Sequence, residues 1–227
     1  MIKLVSAAEL LAAVNSDEAA AVRLCSTAAA YGDDCSVLLC WLQYAGEGVT
    51  AAICSLEGEM TLHCPGGADL DELKQFVSVI SPRSLYSSVR LFDEQAEHPV
   101  YARNIVGGGS FELPDFRAAY DCLKQHFALP EFQYWYVDMS HRCRHECSVC
   151  VCDADGAAGA HYYGAAALLC GIAAANEGRG GGRRLLGRLR DALPPQVTRL
   201  MAAVRPAGPH GFYLKCGFER VGQVYIM

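Results

Sequence analysis

A glycine-rich turn between two apolar segments carries the residues best suited to chemistry in this chain. Four of the five residues from Gly178 to Gly182 are glycine, and Arg179 is the exception. The apolar run Ala165 to Ala175 precedes the turn, and leucines at helical spacing from Leu185 to Leu193 follow it. Free backbone N–H groups at the start of a helix, reached past glycines that carry no Cβ, form an anion site. The stretch therefore predicts a buried strand, a phosphate-binding loop and a helix.

Two arginines in the first turn of that helix favour an anionic ligand. Arg183 and Arg184 lie where the helix dipole disfavours cations, and nearby phosphates would reverse that penalty. The alternative is a mobile glycine loop beside a solvated basic face. A P-loop would need Gly-Lys-Ser or Gly-Lys-Thr, whereas this turn ends in Gly-Gly-Arg-Arg. A dinucleotide fingerprint also fails, because its third glycine would fall on Arg183 or Leu185.

The turn resembles the pyrophosphate loop of the general N-acetyltransferases, the GNAT superfamily. That loop reads Arg/Gln-x-x-Gly-x-Gly/Ala at the start of a helix, and residues 177–186 read EGRGGGRRLL in the same register. Glu177 departs from the pattern, since the family has Arg or Gln there. A second match lies downstream, where residues 212–219 read FYLKCGFE and resemble the family's Phe-Tyr-x-x-x-Gly-Phe-Glu. Together the two motifs make residues 131–227 similar to a GNAT domain.

The resemblance implies an acyltransferase that uses acetyl-CoA as cosubstrate. It would move the acetyl group to a primary amine, on a small molecule or a peptide, by direct transfer in a ternary complex. Orientation of both substrates supplies much of the rate of such a reaction. The residues expected to bind acetyl-CoA are the loop members Arg179, Gly180, Gly181, Gly182 and Arg183, and the strand residues Ile172 and Ala174 through their backbone groups.

Tyr213 matches the family tyrosine that donates a proton to the departing thiolate, so the resemblance implies a catalytic role for it. A phenol, with an ordinary pKa near ~10, carries its proton at neutral pH. The alternative is that Phe212 and Tyr213 form a core aromatic pair. The general base stays open, because the central strands carry no carboxylate. The candidates are a chain of waters and the residues Asp138, His141, His145 and Glu146.

Two rival functions also stay open. A catalytically inactive acyl-CoA-binding module is motivated by Glu177 and by Pro206, which falls where many family members carry a cofactor-contacting asparagine. A zinc-binding interaction protein is motivated by residues 141–152, in which Cys147 and Cys150 have Cys-x-x-Cys spacing. No second pair at typical spacing accompanies them, and alternate side chains on a strand lie ~7 Å apart, too far for one tetrahedral ion. The sequence therefore predicts no metal site.

Residues 111–227 are predicted to form an α/β GNAT acetyltransferase domain with a mixed central sheet flanked by helices. Gly217 is expected to end the last helix in the left-handed conformation. Besides the core strand, loop and helix, the predicted elements are a helix from Asp115 to Phe127, a strand from Phe132 to Arg142, a partner strand from Glu146 to Cys152, a strand from Val197 to Val204, a short helix from Gly211 to Lys215 and a strand from Val221 to Met227.

Residues 1–110 are predicted to form a degenerate, non-catalytic GNAT-like α+β domain, with an unrelated α+β domain as the alternative. The turn before its third helix, residues 65–68, is short and lacks arginine. Residues 94–113 are predicted to be loop-rich, with Gly107 to Gly109 as the linker. The predicted elements are a strand at Ile2 to Val5, helices from Ser6 to Val14 and Asp17 to Ala30, strands at Ser36 to Tyr44, Val49 to Leu56 and Glu59 to Cys64, a helix from Asp69 or Asp71 to Ile80 and a strand at Ser84 to Phe92.

Composition narrows the partners and the compartment. The net charge of −6 argues against nucleic acid or an anionic membrane as the principal partner, and it is compatible with amine substrates. No leader pattern opens the sequence and no apolar run reaches the ~20 residues of a membrane span, so a cytoplasmic location is expected. The 12 cysteines would then be reduced. The sequence does not fix the oligomeric state, and a homodimer is compatible with it.

Overall fold

The computed structural model describes residues 1–32, 37–175 and 178–227, which form two compact units. The first unit comprises Met1–Tyr101, Ala203–Gly211 and Arg220–Met227, and the second comprises Ala102–Ala202 and Phe212–Glu219. The domain boundary expected after residue 110 divides parts that would fold independently. The division into compact units does not test independent folding, so this boundary stays a prediction. Two features of the sequence, the predicted strand start at Ser36 and the family departure at Glu177, lie outside the described residues.

Strands and helices alternate along the chain in an α/β order. In sequence they are β1 (Ile2–Val5), α1 (Ala7–Ala13), α2 (Ala19–Tyr31), β2 (Leu38–Ala45), β3 (Gly48–Leu56), β4 (Glu59–His63), α3 (Leu70–Ile80), β5 (Ser84–Ser87), β6 (Ala96–Asn104), α4 (Phe116–Leu123), α5 (Phe132–Arg144), β7 (Ser148–Asp153), β8 (Gly156–Tyr163), β9 (Ala166–Ala174), α6 (Gly181–Ala192), β10 (Arg199–Ala203), α7 (His210–Lys215) and β11 (Glu219–Ile226). No described helix is long and apolar enough to cross a membrane.

The first unit contains a mixed sheet in the order β1-β2-β3-β4-β5-β11-β6, with residues 96–101 of β6 on its side of the division. Strands β2, β3 and β4 form the predicted antiparallel meander. The predicted capping box of α1 is confirmed, because the side chains of Ser6 and Glu9 each accept a backbone N–H at the start of the helix. Asp69 caps α3, as predicted.

Strands β4 and β5 of the first unit are parallel and closely paired. The register runs from Glu59 opposite Ser84 to Leu62 opposite Ser87. The pairing continues past the strand ends, since the backbone N–H of Ser88 donates to the Leu62 carbonyl at 3.0 Å. These two strands therefore leave no opening between them along this length.

The second unit contains a mixed sheet in which β10, β9, β8 and β7 are neighbours in that order. Strands β7, β8 and β9 are antiparallel, and β10 is parallel to β9. Helix α6 packs through Leu185 and Leu189, which are fully buried, as is Leu193 directly after the helix. Asp115 caps α4, as predicted, with hydrogen bonds to two backbone N–H groups. The predicted fold class, a mixed sheet flanked by helices, is confirmed.

The strand predicted from Phe132 to Arg142 is wrong, because these residues form helix α5. The segment is rich in aromatic residues, which favour strands when the sequence is considered alone. Trp135, Met139 and Cys143 are buried at a spacing of four residues, so one helical face packs into the core. His141 lies on this helix and His145 is its C-cap, and the centroids of their rings are 4.2 Å apart.

A strand was missed between residues 94 and 113, where β6 forms. Val100, Tyr101 and Ala102 are buried in it, although Pro99 argues against a strand interior. The predicted strand from Ser84 to Phe92 is shorter than expected and ends at Ser87.

The glycine triplet after β6 is fixed within the second unit. The backbone N–H of Gly108 donates to the Arg190 carbonyl at 3.1 Å, and that of Gly109 donates to the Leu193 carbonyl at 2.8 Å. These bonds tie the glycine triplet to the carboxyl end of α6, where the Arg190 carbonyl also accepts the backbone N–H of Leu193. A Cβ on Gly108 would lie 2.6 Å from the Asp191 carbonyl oxygen, so only glycine fits.

Candidate functional site

Strands β9 and β10 of the second unit are paired over only part of their length. The parallel register joins Ala166–Leu168 to Arg199–Met201. Strand β9 continues to Ala174, and among the described residues its registered partner over that stretch is β8, as far as the pair of Ala174 and Gly156. Residues 169–174 are therefore held along one edge and unmatched by β10 along the other. A gap of this kind can admit an extended ligand that pairs with a strand.

A β-bulge accompanies this separation. Gly159 of β8 is opposite Gly171 and Ala160 is opposite Leu169, so Cys170 is an extra residue in β9. A bulge bends its strand and increases the local twist. The bend therefore occurs just past Leu168, where the pairing with β10 ends. The sequence gives no signal for it.

The glycine loop leads from β9 into the first turn of α6, as predicted. Gly178 and Gly180 have φ angles of 75° and 81°, which glycine adopts without strain. Gly180 is the N-cap of α6 and supplies no side chain to bind the first N–H groups. Arg179 is exposed and Gly181 is buried. The loop therefore presents the uncapped positive end of a helix, next to the unmatched edge of β9.

The two first-turn arginines have different surroundings. Arg184 makes two hydrogen bonds to the carboxylate of Asp155, at 2.7 and 2.6 Å, and these bonds lower the pKa of Asp155. The Arg184 charge is therefore balanced within the chain and does not need the ligand that the sequence suggested for it. Arg183 donates to the Lys215 carbonyl at 2.9 Å and, within the described part of the chain, has no carboxylate partner.

Asp155 was missed by sequence reasoning, yet it contacts the chain on both sides of the glycine loop. Its carbonyl accepts the backbone N–H of Ala175 at 2.8 Å, while its carboxylate holds Arg184 after the loop. Arg184 in turn donates to the Arg179 carbonyl at 3.2 Å. One turn, between β7 and β8, thus anchors both flanks. The available signal was the pair Asp153 and Asp155 in a sequence whose next helix is rich in arginine.

Tyr213 is nearly buried, with 7% of its surface exposed. Its ring packs edge to face on Phe212, at 5.2 Å between centroids, and on Phe218, at 5.4 Å. Burial raises the pKa of its hydroxyl to about 12. With this raised pKa, Tyr213 is protonated at neutral pH.

Gly217 has a φ of 79°, as predicted for a residue that ends α7.

The two GNAT-like motifs lie against each other in the second unit. A Cβ built on Gly182 would lie 2.9 Å from Cε2 of Phe212, so the first turn of α6 touches the aromatic ring directly. The bond from Arg183 to Lys215 is a second link between them. Phe212 thus joins the glycine loop to the segment that carries Tyr213.

The sequence predicted a strand for the first two candidates for the general base, but none of the four candidates lies on a strand. Asp138 lies on α5 and pairs with Arg142 at 2.7 Å, and His141 is on the same helix. His145 and Glu146 follow it in the turn before β7. Among the described residues, no three histidine, cysteine or acidic side chains come close enough to hold a metal ion.

The fold of this chain is shared with solved structures of GNAT N-acetyltransferases. Three solved structures share this fold over the whole chain, with low sequence identity. A GCN5-related N-acetyltransferase from Sphaerobacter thermophilus has 13% identity and a TM-score of 0.62, with all of this chain and 94% of that chain covered. A tandem GNAT protein from the clavulanic acid biosynthesis pathway, without AcCoA, has 12% identity and a TM-score of 0.51, with 100% and 97% covered. A GNAT-family acetyltransferase from Colwellia psychrerythraea has 12% identity and a TM-score of 0.50, with 100% and 98% covered.

Sequence comparisons add no closer relative. No protein-family model matches the chain, and no curated protein matches it. At these identities the structural likeness establishes the fold, and the activity has to be argued from the site.

Proposed function

We propose that the protein is an N-acetyltransferase that uses acetyl-CoA and moves its acetyl group to a primary amine by direct transfer in a ternary complex. The observation that carries this proposal is the opening between β9 and β10 past Leu168 and Met201, which leads to the glycine loop. An acyl-CoA has a long arm with amide groups and a pyrophosphate at its far end. The unmatched edge of β9 suits the arm, and the loop suits the pyrophosphate.

In this proposal the cofactor lies along the second unit. Backbone groups near Ile172 and Ala174 pair with the pantetheine arm, because β10 does not occupy that edge. The first-turn N–H groups at Gly180, Gly181 and Gly182 hold the pyrophosphate, because no side chain caps them. The cationic residues Arg179 and Arg183 are added to the same site.

The chemical step requires an uncharged amine and a proton for the departing thiolate. Tyr213 is proposed as the proton donor, since burial keeps its hydroxyl protonated at neutral pH. Its near-complete burial and its packing on Phe212 and Phe218 also suit a structural residue. This observation favours a second candidate, a catalytically inactive acyl-CoA-binding module.

The first unit is proposed to be non-catalytic. The parallel strands β4 and β5 occupy the positions in its chain order that β9 and β10 occupy in the second unit, but they stay paired to the end. The corresponding edge is therefore filled by the chain itself. The domain division at residue 110, the cytoplasmic location and the homodimer stay predictions.

Calorimetric titration with acetyl-CoA tests the cofactor site. Wild-type protein should bind with micromolar affinity, and Gly181→Glu should abolish binding by adding a carboxylate and a large side chain to the loop. Gly222→Glu, an exposed strand position where a Cβ meets nothing within 4 Å, adds the same charge elsewhere and should bind normally. Arg179→Glu, at an exposed position, reports on the loop if Gly181→Glu does not fold. No binding by the wild type would refute the proposal.

Turnover separates the two candidate functions. Amines are screened with acetyl-CoA, and an acceptor found in this way is used for initial-rate kinetics with Tyr213→Phe. A direct transferase should give intersecting lines for the two substrates, and Tyr213→Phe should lower kcat while the affinity for acetyl-CoA is kept. Binding without turnover would favour the inactive module. An unchanged kcat in Tyr213→Phe would remove that residue from the mechanism.

A further inference from the structure

Five cysteines of the second unit converge on the face of its sheet that α4 and α5 cover. Cys143 of α5 and Cys150 of β7 belong to one buried cluster, and Cys122 of α4 and Cys152 of β7 pack against it. The fifth member is Cys170 of β9. Among the described cysteines none forms a disulfide, so these five side chains are thiols. The proposed acetyl transfer uses none of them.

Cys170 is the exposed member of this cysteine layer, whereas the other four are buried or half-buried. It is the extra residue of the β9 bulge, and its Sγ lies 2.9 Å from the position of a Cβ built on Gly159 of β8. Cε of Met139 on α5 lies 3.8 Å from the same position. The Cys170 thiol therefore occupies the side-chain space that Gly159 leaves empty, on the side of the sheet that faces α5, and it stays open to solvent.

Strand geometry excludes Cys150 as a disulfide partner of Cys170. Cys150 lies directly opposite Gly159 in β7, so strand β8 separates the two cysteines. Adjacent strands are about 4.8 Å apart, which puts the two Cα atoms about 9–10 Å apart across β8. A disulfide needs Cα atoms within about 7 Å of each other. A bond between these two cysteines would therefore require the sheet to open.

Cys143 meets no such obstacle. It follows Met139 by about one helical turn, so both side chains lie on the buried face of α5 that points at the sheet. Burial raises the pKa of the Cys143 thiol to about 12, and a negative charge on Cys170 raises it further, by more than the charge of Asp138 does. The thiols of Cys143 and Cys170 are therefore electrostatic neighbours, with no strand between them.

We propose that Cys170 is a site of oxidation by peroxides and that Cys143 is the thiol that resolves the oxidised sulfur as a disulfide. In the first step the Cys170 sulfur attacks the peroxide, whose O–O bond breaks, and Cys170 sulfenic acid and an alcohol or water are formed. In the second step the Cys143 sulfur attacks the sulfenic acid, the S–O bond breaks, and a disulfide and water are formed. The two thiols give up two electrons and two protons, which the peroxide takes up. The proposal does not rest on acetyl transfer.

The different surroundings of the two thiols set the order of the steps. Oxidation follows exposure and thiolate character, so the exposed Cys170 reacts first. Cys143 is 5% exposed, and its raised pKa keeps it protonated at neutral pH. Its attack on the sulfenic acid is therefore slow, and the sulfenic acid of Cys170 persists long enough for a trapping reagent to compete.

Mass spectrometry of the full chain after treatment with hydrogen peroxide tests the site. Dimedone, a reagent for sulfenic acids, should label Cys170 when it is present during oxidation. Without dimedone the wild type should gain one disulfide, which proteolysis without reduction should map to Cys143 and Cys170. In concentrated urea the same oxidation should give mixed pairings, because the folded placement is lost. An unmodified Cys170, or a bridge between other cysteines of the folded protein, would overturn the proposal.

Three variants separate the roles of the residues, and circular dichroism checks that each one is folded. Cys143→Ala should keep the dimedone label on Cys170 and lose the bridge. Cys150→Ala, a matched change in the same layer, should keep both. A bridge that is kept in Cys143→Ala and lost in Cys150→Ala would overturn the assignment of the resolving thiol.

Gly159→Ala tests the placement of Cys170 without removing any thiol. The added Cβ would lie 2.9 Å from the Cys170 Sγ, so this sulfur has to move out of the space over β8. The bridge should then form more slowly than in the wild type, while the dimedone label on Cys170 is kept. Gly222→Ala, where a Cβ meets nothing within 4 Å, should leave the rate unchanged. Equal rates of bridge formation in the two glycine variants would overturn the proposed geometry.

Discussion

Two glycines of α6 provide a matched test of how the glycine loop is packed. Gly182→Ala and Gly187→Ala make the same chemical change in one helix. At Gly187 a Cβ meets nothing within 4 Å, whereas at Gly182 it would lie 2.9 Å from Cε2 and 3.0 Å from Cζ of Phe212. The two variants therefore differ mainly in their contact with that ring.

The magnitudes follow from the two environments. Alanine in place of a helix-interior glycine stabilises by up to about 1 kcal/mol, which is the expectation for Gly187→Ala. Carbon atoms pack at about 3.5–4.0 Å, so the Phe212 ring would have to retreat by about 0.5–1 Å in Gly182→Ala. Overpacking of that kind costs about 1–3 kcal/mol. Gly182→Ala should thus be less stable than Gly187→Ala by about 1–3 kcal/mol.

Urea denaturation of the wild type and both variants measures this difference in unfolding free energy. The slope of the free energy against urea concentration is compared among the three proteins. In a protein of this length each 1 kcal/mol corresponds to about 2–4 °C in melting temperature, so a thermal scan serves as a second measurement. Because Phe212 and Tyr213 are in edge-to-face contact, Gly182→Ala should also change the near-ultraviolet circular dichroism. Equal stability of the two variants would show that the first turn of α6 does not rest on Phe212.

Three further predictions concern Tyr213, Asp155 and Leu189. The folded-state pKa of Tyr213, about 12, exceeds the unfolded value near 10. Its contribution to stability, on the order of 3 kcal/mol, is therefore complete below about pH 10 and is lost as the pH rises to about 12. Tyr213→Phe should flatten the alkaline limb of a curve of unfolding free energy against pH, and an unchanged limb would contradict the shift. Asp155→Asn should speed amide hydrogen exchange in the first turn of α6, because Arg184 loses its carboxylate partner. The control Asp121→Asn on α4 should leave that exchange unchanged, and equal exchange in both variants would count against the anchoring role of Asp155. Leu189→Ala, at a fully buried position, should lower the free energy of unfolding by about 2–5 kcal/mol. Leu214→Ala, at a position 55% exposed, should change it by less than about 0.5 kcal/mol. Similar losses of unfolding free energy in urea titrations of the two variants would contradict the assigned burial.

The core of the candidate site could be predicted from sequence because its signals are local. A run of apolar residues, a cluster of glycines and leucines at helical spacing are contiguous from Ala165 to Leu193, and the structure has β9, the loop and α6 there. The left-handed conformation of Gly217 is likewise a property of one helix end. Local chemistry decides such features, so a single sequence contains them.

The features that were missed depend on contacts between distant residues. The sequence of α5 predicts a strand, and only the shared burial of Trp135 and Met139 on one face shows that it is a helix. The parting of β9 from β10 and the bulge at Cys170 are matters of register, which composition does not encode. The pairing of Arg184 with Asp155 joins two turns that are separated along the chain. It also changes the interpretation of the first-turn arginines, since Arg184 has a carboxylate partner and Arg183 has none among the residues that the structure describes.

The sheet of the first unit is completed late during synthesis on the ribosome. Tyr225 and Ile226 of β11 pair with Ser87 and Tyr86 of β5, so this edge cannot be covered until residues 102–202 have also been made. At about 5–20 residues per second, that interval is about 5–20 seconds. Throughout it, β5 exposes an unpaired edge of the kind that recruits other strands.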